Sequence, residues 1–225
     1  MRKTFAVTAE GLAPIVAVGF FGRLRLIQNL LPQVEAAQGI RRVVNVLAGT
    51  KEGNVYPDDL QGKKVSFTEA RGHLTSSITL SLEQLAQQAP TVSFLHTFPG
   101  FVRGNLLRGS IILNTLGNFA LFIAKTFNVF GYVGEDECGE RHVFLATSSA
   151  FPPASGDAKG LDRVDGVQVC IGTDGKVGSG VYTVDEQDEP GNEKQRAILQ
   201  GHRKKDFDTK IWAGVQAEFK RITAA

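Results

Sequence analysis

From Ile15 to Ala37 the apolar residues Leu24, Ile27, Leu30, Leu31 and Val34 recur at steps of three and four. That spacing predicts a helix with one apolar side. Pro14 suits its first turn, and Gly39 suits its stop. Arg42–Leu47 then reads RVVNVL, a β-branched run expected of a buried strand. Ala48–Lys64, holding Gly49, Gly53, Pro57 and Gly62, reads as a loop. Ser66–Gln88 is a second predicted helix, with Leu74, Ile78, Leu82 and Leu85 as its core stripe and Glu83 among polar neighbours. Pro90 ends it. Thr91–His96 is a second strand, and Phe98–Val102 a tight turn.

The pattern continues with an apolar helix near 110–128 and a further helix over Glu140–Ser149. Residues 151–166 form a loop, and Val167–Ile171 a third strand. The glycine-rich run Gly172–Val184 reads as hairpin-like, and the chain closes with a polar helix over Asp208–Ile222, docked by Trp212 and Phe219. Strands separated by helices predict parallel pairing with right-handed crossovers, hence an α/β fold. No internal repeat or long linker divides the 225 residues, so one domain over 1–225 is expected.

Composition narrows the function classes. Twenty-five basic and 23 acidic residues leave a net charge of +2, which gives no electrostatic reason to expect nucleic acid. Cys138 and Cys170 are too few for a disulfide scaffold and lack metal-site spacing, so a reducing, cytoplasmic setting and no metal are expected. Leu12–Phe21 is apolar but holds Pro14 and stops before Arg23, which is too short to span a bilayer. Ser110–Tyr132 carries a single charge, Lys125, and reads as a buried or lid-like helix over an apolar ligand rather than as membrane contact.

Five blocks in order carry a family likeness: EGL (Glu10–Leu12), FGRLRLIQNLLP (Phe21–Pro32), RVVNVLAGTKEG (Arg42–Gly53), ECGERHVFLATS (Glu137–Ser148) and GTDGKVGSGVYTVD (Gly172–Asp185). With these the chain resembles the short-chain dehydrogenases/reductases, in a fungal branch met in secondary-metabolite pathways. The resemblance implies oxidoreductase activity and a Rossmann-like, doubly wound parallel sheet with flanking helices. It also implies NADP or NAD, whose pyrophosphate would sit on a glycine-rich strand–helix turn. No such turn stands between a strand and a helix here. The sheet is therefore expected to be partial and the domain N-terminally truncated. Pro99 and Gly100 match the family's turn beside the nicotinamide.

The resemblance also implies a Ser, a Tyr with a Lys four residues on, and an Asn. The Ser place falls on Ala48, the Tyr place on Val65, the Lys place on Glu69, and the Asn place near Gly19 or Phe20. Tyr56 lies nine residues before Val65 and has Leu60 at plus four. Two histidines remain as candidates. His96 ends a strand where open α/β sheets bind ligands, and His73 sits on the helix after the Val65 and Glu69 places. Cys138 and His142 share a helical face, but two ligands do not make a zinc site. His202–Lys205 reads as a solvated basic face.

Three functions follow. The chain is an oxidoreductase acting on a small molecule; or a catalytically dead relative, a pseudoenzyme that binds a ligand or partner; or a cofactor-free isomerase or cyclase using His96 or His73. An outer strand Arg42–Leu47 with unpaired backbone predicts a homo-oligomer or a partner that completes the sheet edge. Thr4–Val7 is the alternative cover.

Overall fold

The computed structural model describes residues 7–102, 132–156 and 167–224. The apolar helix expected near 110–128 and the cover Thr4–Ala6 lie outside them. Helix α1 runs Pro14–Glu35 and includes one π-helical turn, Ala17–Phe21. Gly22 follows that turn, where a Cβ would come within 2.9 Å of Ala17 O. Phe20, Phe21, Leu24 and Leu31 face the core, while Leu30 is exposed. Neighbouring helical residues point about 100° apart, which here turns Leu31 toward the core and Leu30 outward. The helix ends at Glu35, with Ala36 rather than Gly39 beside its terminus.

Strand β1 is Arg42–Val46, α2 is Phe67–Gln88 and β2 is Ser93–Thr97. Strands β3 (Phe101–Val102) and β4 (Tyr132–Val133) make a two-residue parallel pair. Helix α3 is Glu135–Thr147, β5 is Val181–Val184, α4 is Glu193–Arg203 and α5 is Phe207–Thr223. The main sheet has the order β1-β2-β5 and is wholly parallel, with Val43 opposite Phe94 and Phe94 opposite Val181. Helices flank it. This is an α/β fold consistent with part of a Rossmann-like sheet.

Both faces of the sheet are covered. Phe94 and Val181 join the larger core, with Phe20, Leu24, Leu82, Leu85, Ile211 and Val215. Leu95, Tyr182 and Val184 join the smaller one, with Leu145 and Phe151. Successive strand residues point to opposite faces, so β2 and β5 feed both cores. Arg42 reaches across the second face to donate to Leu145 O at 2.9 Å and Phe151 O at 2.7 Å.

Three expectations need correction, and one helix is additional. Val167–Ile171 is not the third strand. Ile171 forms only an isolated antiparallel bridge to Val177, and the strand is Val181–Val184, whose four residues are all buried. A strand that feeds two cores needs both faces covered, and partly exposed Ile171 lacks that. Helix α3 begins at Glu135 rather than Glu140, with Glu135, Asp136 and Glu137 in its first turn, where the helix dipole favours acids. The closing helix stands as expected, as α5, but a further helix, α4, precedes it. Asn192 and Gln195 form a capping box at the start of α4. Lastly, His202 and Arg203 are not a solvated face. His202 is buried, and Arg203 grips Glu83 through two bonds of 2.9 and 2.7 Å.

Candidate functional site

Two neighbourhoods hold the residues singled out by the sequence. The first is the carboxyl end of β1 and β2. The loop after β1 folds tightly back on β2: a Cβ on Gly49 would run into His96 O, and Thr50 takes a left-handed φ of 66°. Ala48 N–H donates to His96 Nε2 at 3.3 Å. With Nε2 accepting, Nδ1 holds the ring proton and meets Thr79 Oγ1 at 2.9 Å. Thr79 in turn donates to Glu52 Oε1 at 3.1 Å. His96 is therefore the end of a closed chain, His96–Thr79–Glu52, and has no route to solvent of its own.

Burial sets the charges in that chain. Desolvation, helped by the nearby Arg23 guanidinium, pushes His96 down to about 3. Desolvation pushes Glu52 up to about 7, against hydrogen bonds that favour its carboxylate. Glu52 Oε2 is buried without a partner. So near pH 7 the imidazole is neutral, and the carboxyl exchanges its proton in the physiological range. Nothing in the sequence flagged Glu52, because an acid in a glycine-rich loop reads as solvated.

The second neighbourhood is a cavity of about 360 Å³ lined by Val55, Tyr56, Pro57, Asp58, Asp59, Lys64, Val65 and Glu69. It contains Val65 and Glu69, where the family likeness would put the Tyr and Lys, but not Ala48. Tyr56 supplies a phenol there, donating to Glu69 Oε1 at 2.8 Å, while Ser66 donates to Oε2 at 2.6 Å. The Ser66 bond, then the Tyr56 bond, holds the Glu69 carboxyl below its usual range. The same carboxylate raises the Tyr56 phenol. The arrangement can accept a hydrogen bond from, or donate one to, a bound polar group. With its pKa raised, Tyr56 is a poorer proton donor than a lysine-assisted tyrosine.

His73 serves this cavity indirectly. Its Nδ1 accepts from Tyr56 N at 3.3 Å and its Nε2 bonds Asp59 O at 3.1 Å. Both ring nitrogens are spent on backbone, and desolvation lowers its pKa. His73 positions the loop that carries Tyr56. His202 does similar work through Gly53 O at 2.8 Å.

Pro99 and Gly100 lie partly buried just past β2, with Gly100 at φ 78°. Phe98 beside them sits under the Lys51 ammonium at 4.9 Å and the Arg71 guanidinium at 5.2 Å. The gap where Pro99 meets Cys138, Arg141, His142 and Asp188 measures about 10 Å³, room for one water and not for a nicotinamide. The glycines of Gly172–Gly180 are also spent. Gly172–Gly175 closes a turn through Gly175 N to Gly172 O at 3.0 Å, and a Cβ on Gly180 would meet Ala154 N at 2.7 Å. The described residues thus do not fit a dinucleotide. His142 Nδ1 bonds Cys138 O at 2.7 Å, and Cys138 Sγ lies 3.6 Å from the same nitrogen. Among the described residues no three His, Cys, Asp or Glu side chains converge as metal ligands.

The chain is similar to fungal oxidoreductases. It is 31% identical over 223 residues to the oxidoreductase andH of Emericella variicolor, covering 97% of this chain and 64% of that protein. It is 29% identical to the NmrA-like family domain-containing oxidoreductase notO of an Aspergillus species, covering 97% and 60%. It is 27% identical to the short-chain dehydrogenase/reductase SAT2 of Stachybotrys chartarum, covering 91% and 58%. The chain thus spans between half and two thirds of the length of these relatives. No family model and no solved structure matches it.

Proposed function

We propose that this chain is an oxidoreductase of the short-chain dehydrogenase/reductase kind, working on a small molecule in a fungal secondary-metabolite pathway in the cytoplasm. One observation carries the reading: 97% of the chain aligns with the oxidoreductase andH. A parallel sheet with the loops of β1 and β2 at its carboxyl end supports it, since open α/β sheets bind ligands there. NADP or NAD is the redox partner the family likeness implies; Pro99 and Gly100 match the family's turn beside it in sequence, but the gap at Pro99 leaves no room for a nicotinamide. The test is titration of the purified chain with NADPH and with NADH, followed by fluorescence. Saturable binding within the ~1 μM–1 mM range usual for enzyme substrates supports the reading; none within it overturns it.

A second reading is a relative that binds a ligand without redox chemistry. It is favoured by Ala48, Val65 and Glu69 at the places of the family's Ser, Tyr and Lys, and by the tie between Tyr56 and Glu69. A substrate-sized ligand that binds the chain while neither nicotinamide does would support it. Loss of that binding in Tyr56→Phe would place the ligand in the 360 Å³ cavity.

A further inference from the structure

The cavity beside Tyr56 has an apolar interior and an acidic mouth. Among its lining residues Val55 is buried, and Pro57 and Val65 are partly so. With them stand three acids, Asp58, Asp59 and Glu69, against one base, Lys64. Asp58, Lys64 and Glu69 are exposed, which puts the charge at the mouth and the apolar surface within. The chain as a whole carries a net charge of +2, so this excess of acid is local and does not follow from composition.

The acids are held in place before any ligand arrives. Asp59 accepts from Lys63 N at 3.0 Å through Oδ1 and from Lys64 N at 2.7 Å through Oδ2. Glu69 accepts from Tyr56 on one oxygen and from Ser66 on the other. A carboxylate oxygen has two acceptor positions, so each of these four oxygens keeps one for a further donor. The donors already present are uncharged groups, which orient the carboxylates without neutralising them. His73 fixes the loop between through Tyr56 N and Asp59 O, and its ring stands edge-on to the Tyr56 ring at 5.7 Å between centroids. A site built this way loses little freedom on binding.

We propose that the cavity takes an organic cation, an apolar body seated against Val55 and Val65 with a protonated amine among Asp58, Asp59 and Glu69. This rests on the second reading above, in which a ligand fills this cavity. An ammonium brings several donors and a positive charge together, so each contact is a charge-assisted hydrogen bond. A carboxylate or phosphate in the same place would face three acids with only Lys64 to offset them. A metal ion suits the acids less well, since among the described residues no three such side chains converge on one point. Volume sets the size of the ligand. A cavity of ~150 Å³ takes benzene, so this one, at about 360 Å³, has room for roughly fourteen non-hydrogen atoms.

Three probes that share a naphthalene body test the role of charge: 2-(1-naphthyl)ethylamine, 2-(1-naphthyl)ethanol and 3-(1-naphthyl)propanoate. Each is titrated into the 225-residue chain at neutral pH by isothermal calorimetry. The amine should bind with a Kd of ~1 mM or tighter, as its size allows. It should bind at least ~10-fold tighter than the alcohol, and the propanoate should not saturate. Asp58→Asn combined with Glu69→Gln should bring the amine to the alcohol's affinity and leave the alcohol where it was. Both side chains are exposed, so circular dichroism should be unchanged. Lys64→Gln should tighten the amine. An alcohol or propanoate that binds as tightly as the amine overturns the proposal and leaves a ligand site that reads shape alone. Amine binding that survives the double variant overturns it too, and puts the amine elsewhere on the chain. Binding by none of the three overturns the cavity as a ligand site, and the proposal with it.

Discussion

Helices α1 and α2 have exchanged the roles their compositions suggest. Helix α1 is the apolar one, yet much of its aliphatic surface faces outward. Helix α2 carries Thr75, Ser76, Ser77, Thr79 and Ser81, and all five are fully buried. A helix buried on every side must satisfy its hydroxyls within the protein, and all but Ser77 Oγ find a partner. Thr75 donates to Arg71 O at 2.7 Å, Ser81 to Ser77 O at 2.7 Å and Ser76 to Gly53 O at 2.8 Å. Small side chains also let other chain segments come close. A Cβ on Gly72 would lie 2.9 Å from the Cα of Gly53. Burial here follows from position between the sheet, α5 and the loop after β1, and not from hydropathy.

The sharpest way to break this comparison is to shorten one leucine on each helix. Leu82 on α2 is fully buried beside Leu85, so Leu82→Ala should cost about 3 kcal/mol by urea denaturation. Leu26→Ala on α1 should change stability by less than about 0.5 kcal/mol when measured at low protein concentration. Equal losses at the two sites would show that α1 is packed as tightly as α2.

Next in size is a pH effect that belongs to the neighbours of α2. Glu52 has its folded pKa raised from 4.5 to about 7, so the folded state holds a proton that the unfolded state releases. Its stabilising share is full below pH 4.5 and is lost as pH rises to 7. His96 runs the other way. Its folded pKa is lowered from 6.5 to about 3, so its share is full above pH 6.5 and is lost as pH falls. Between pH 4.5 and 6.5 the two slopes oppose and nearly cancel. Glu52→Gln removes one of them. Stability of that variant, relative to the parent, should rise by about 1 kcal/mol per pH unit across this window. Parallel stability curves for the two proteins would refute the assignment of Glu52.

How much of this was legible beforehand follows from the same physics. Period and punctuation gave α1, α2, β1 and β2 to within a residue or two at most ends, because periodicity and chain breakers set where elements run even where burial departs from them, as at Leu30. The Ser/Thr face of α2 was invisible, since the packing that covers it comes from Gly53, β5 and α5, distant in sequence. Strand β5 was hidden behind its glycines, although Val181–Val184 is β-branched and aromatic. Helix α4 did leave a signal in Asn192-x-x-Gln195, the capping box, which its polar composition masked. At the candidate site, the family likeness drew attention to Ala48, Val65 and Glu69, of which the last two line one cavity. The Tyr56–Glu69 bond was not, because the two lie 13 residues apart across a loop whose course is set by His73.

The smallest expected effect tests that loop. Tyr56 and Glu69 sit at the surface end of α2, where hydrogen bonding and not burial governs the carboxyl. Removing Ser66 Oγ by Ser66→Ala should raise the Glu69 pKa, followed by carbon-detected NMR titration. Tyr56→Phe should raise it by less, because the Ser66 bond is the larger cause. Neither substitution should move the unfolding midpoint measurably, in contrast to Leu82→Ala at the middle of the same helix. The reverse order would mean that the phenol and not the hydroxyl holds Glu69, and that the cavity is organised around Tyr56. A Glu69 titration untouched by either change would mean that neither contact persists in solution. The phenol would then be free to turn toward a ligand.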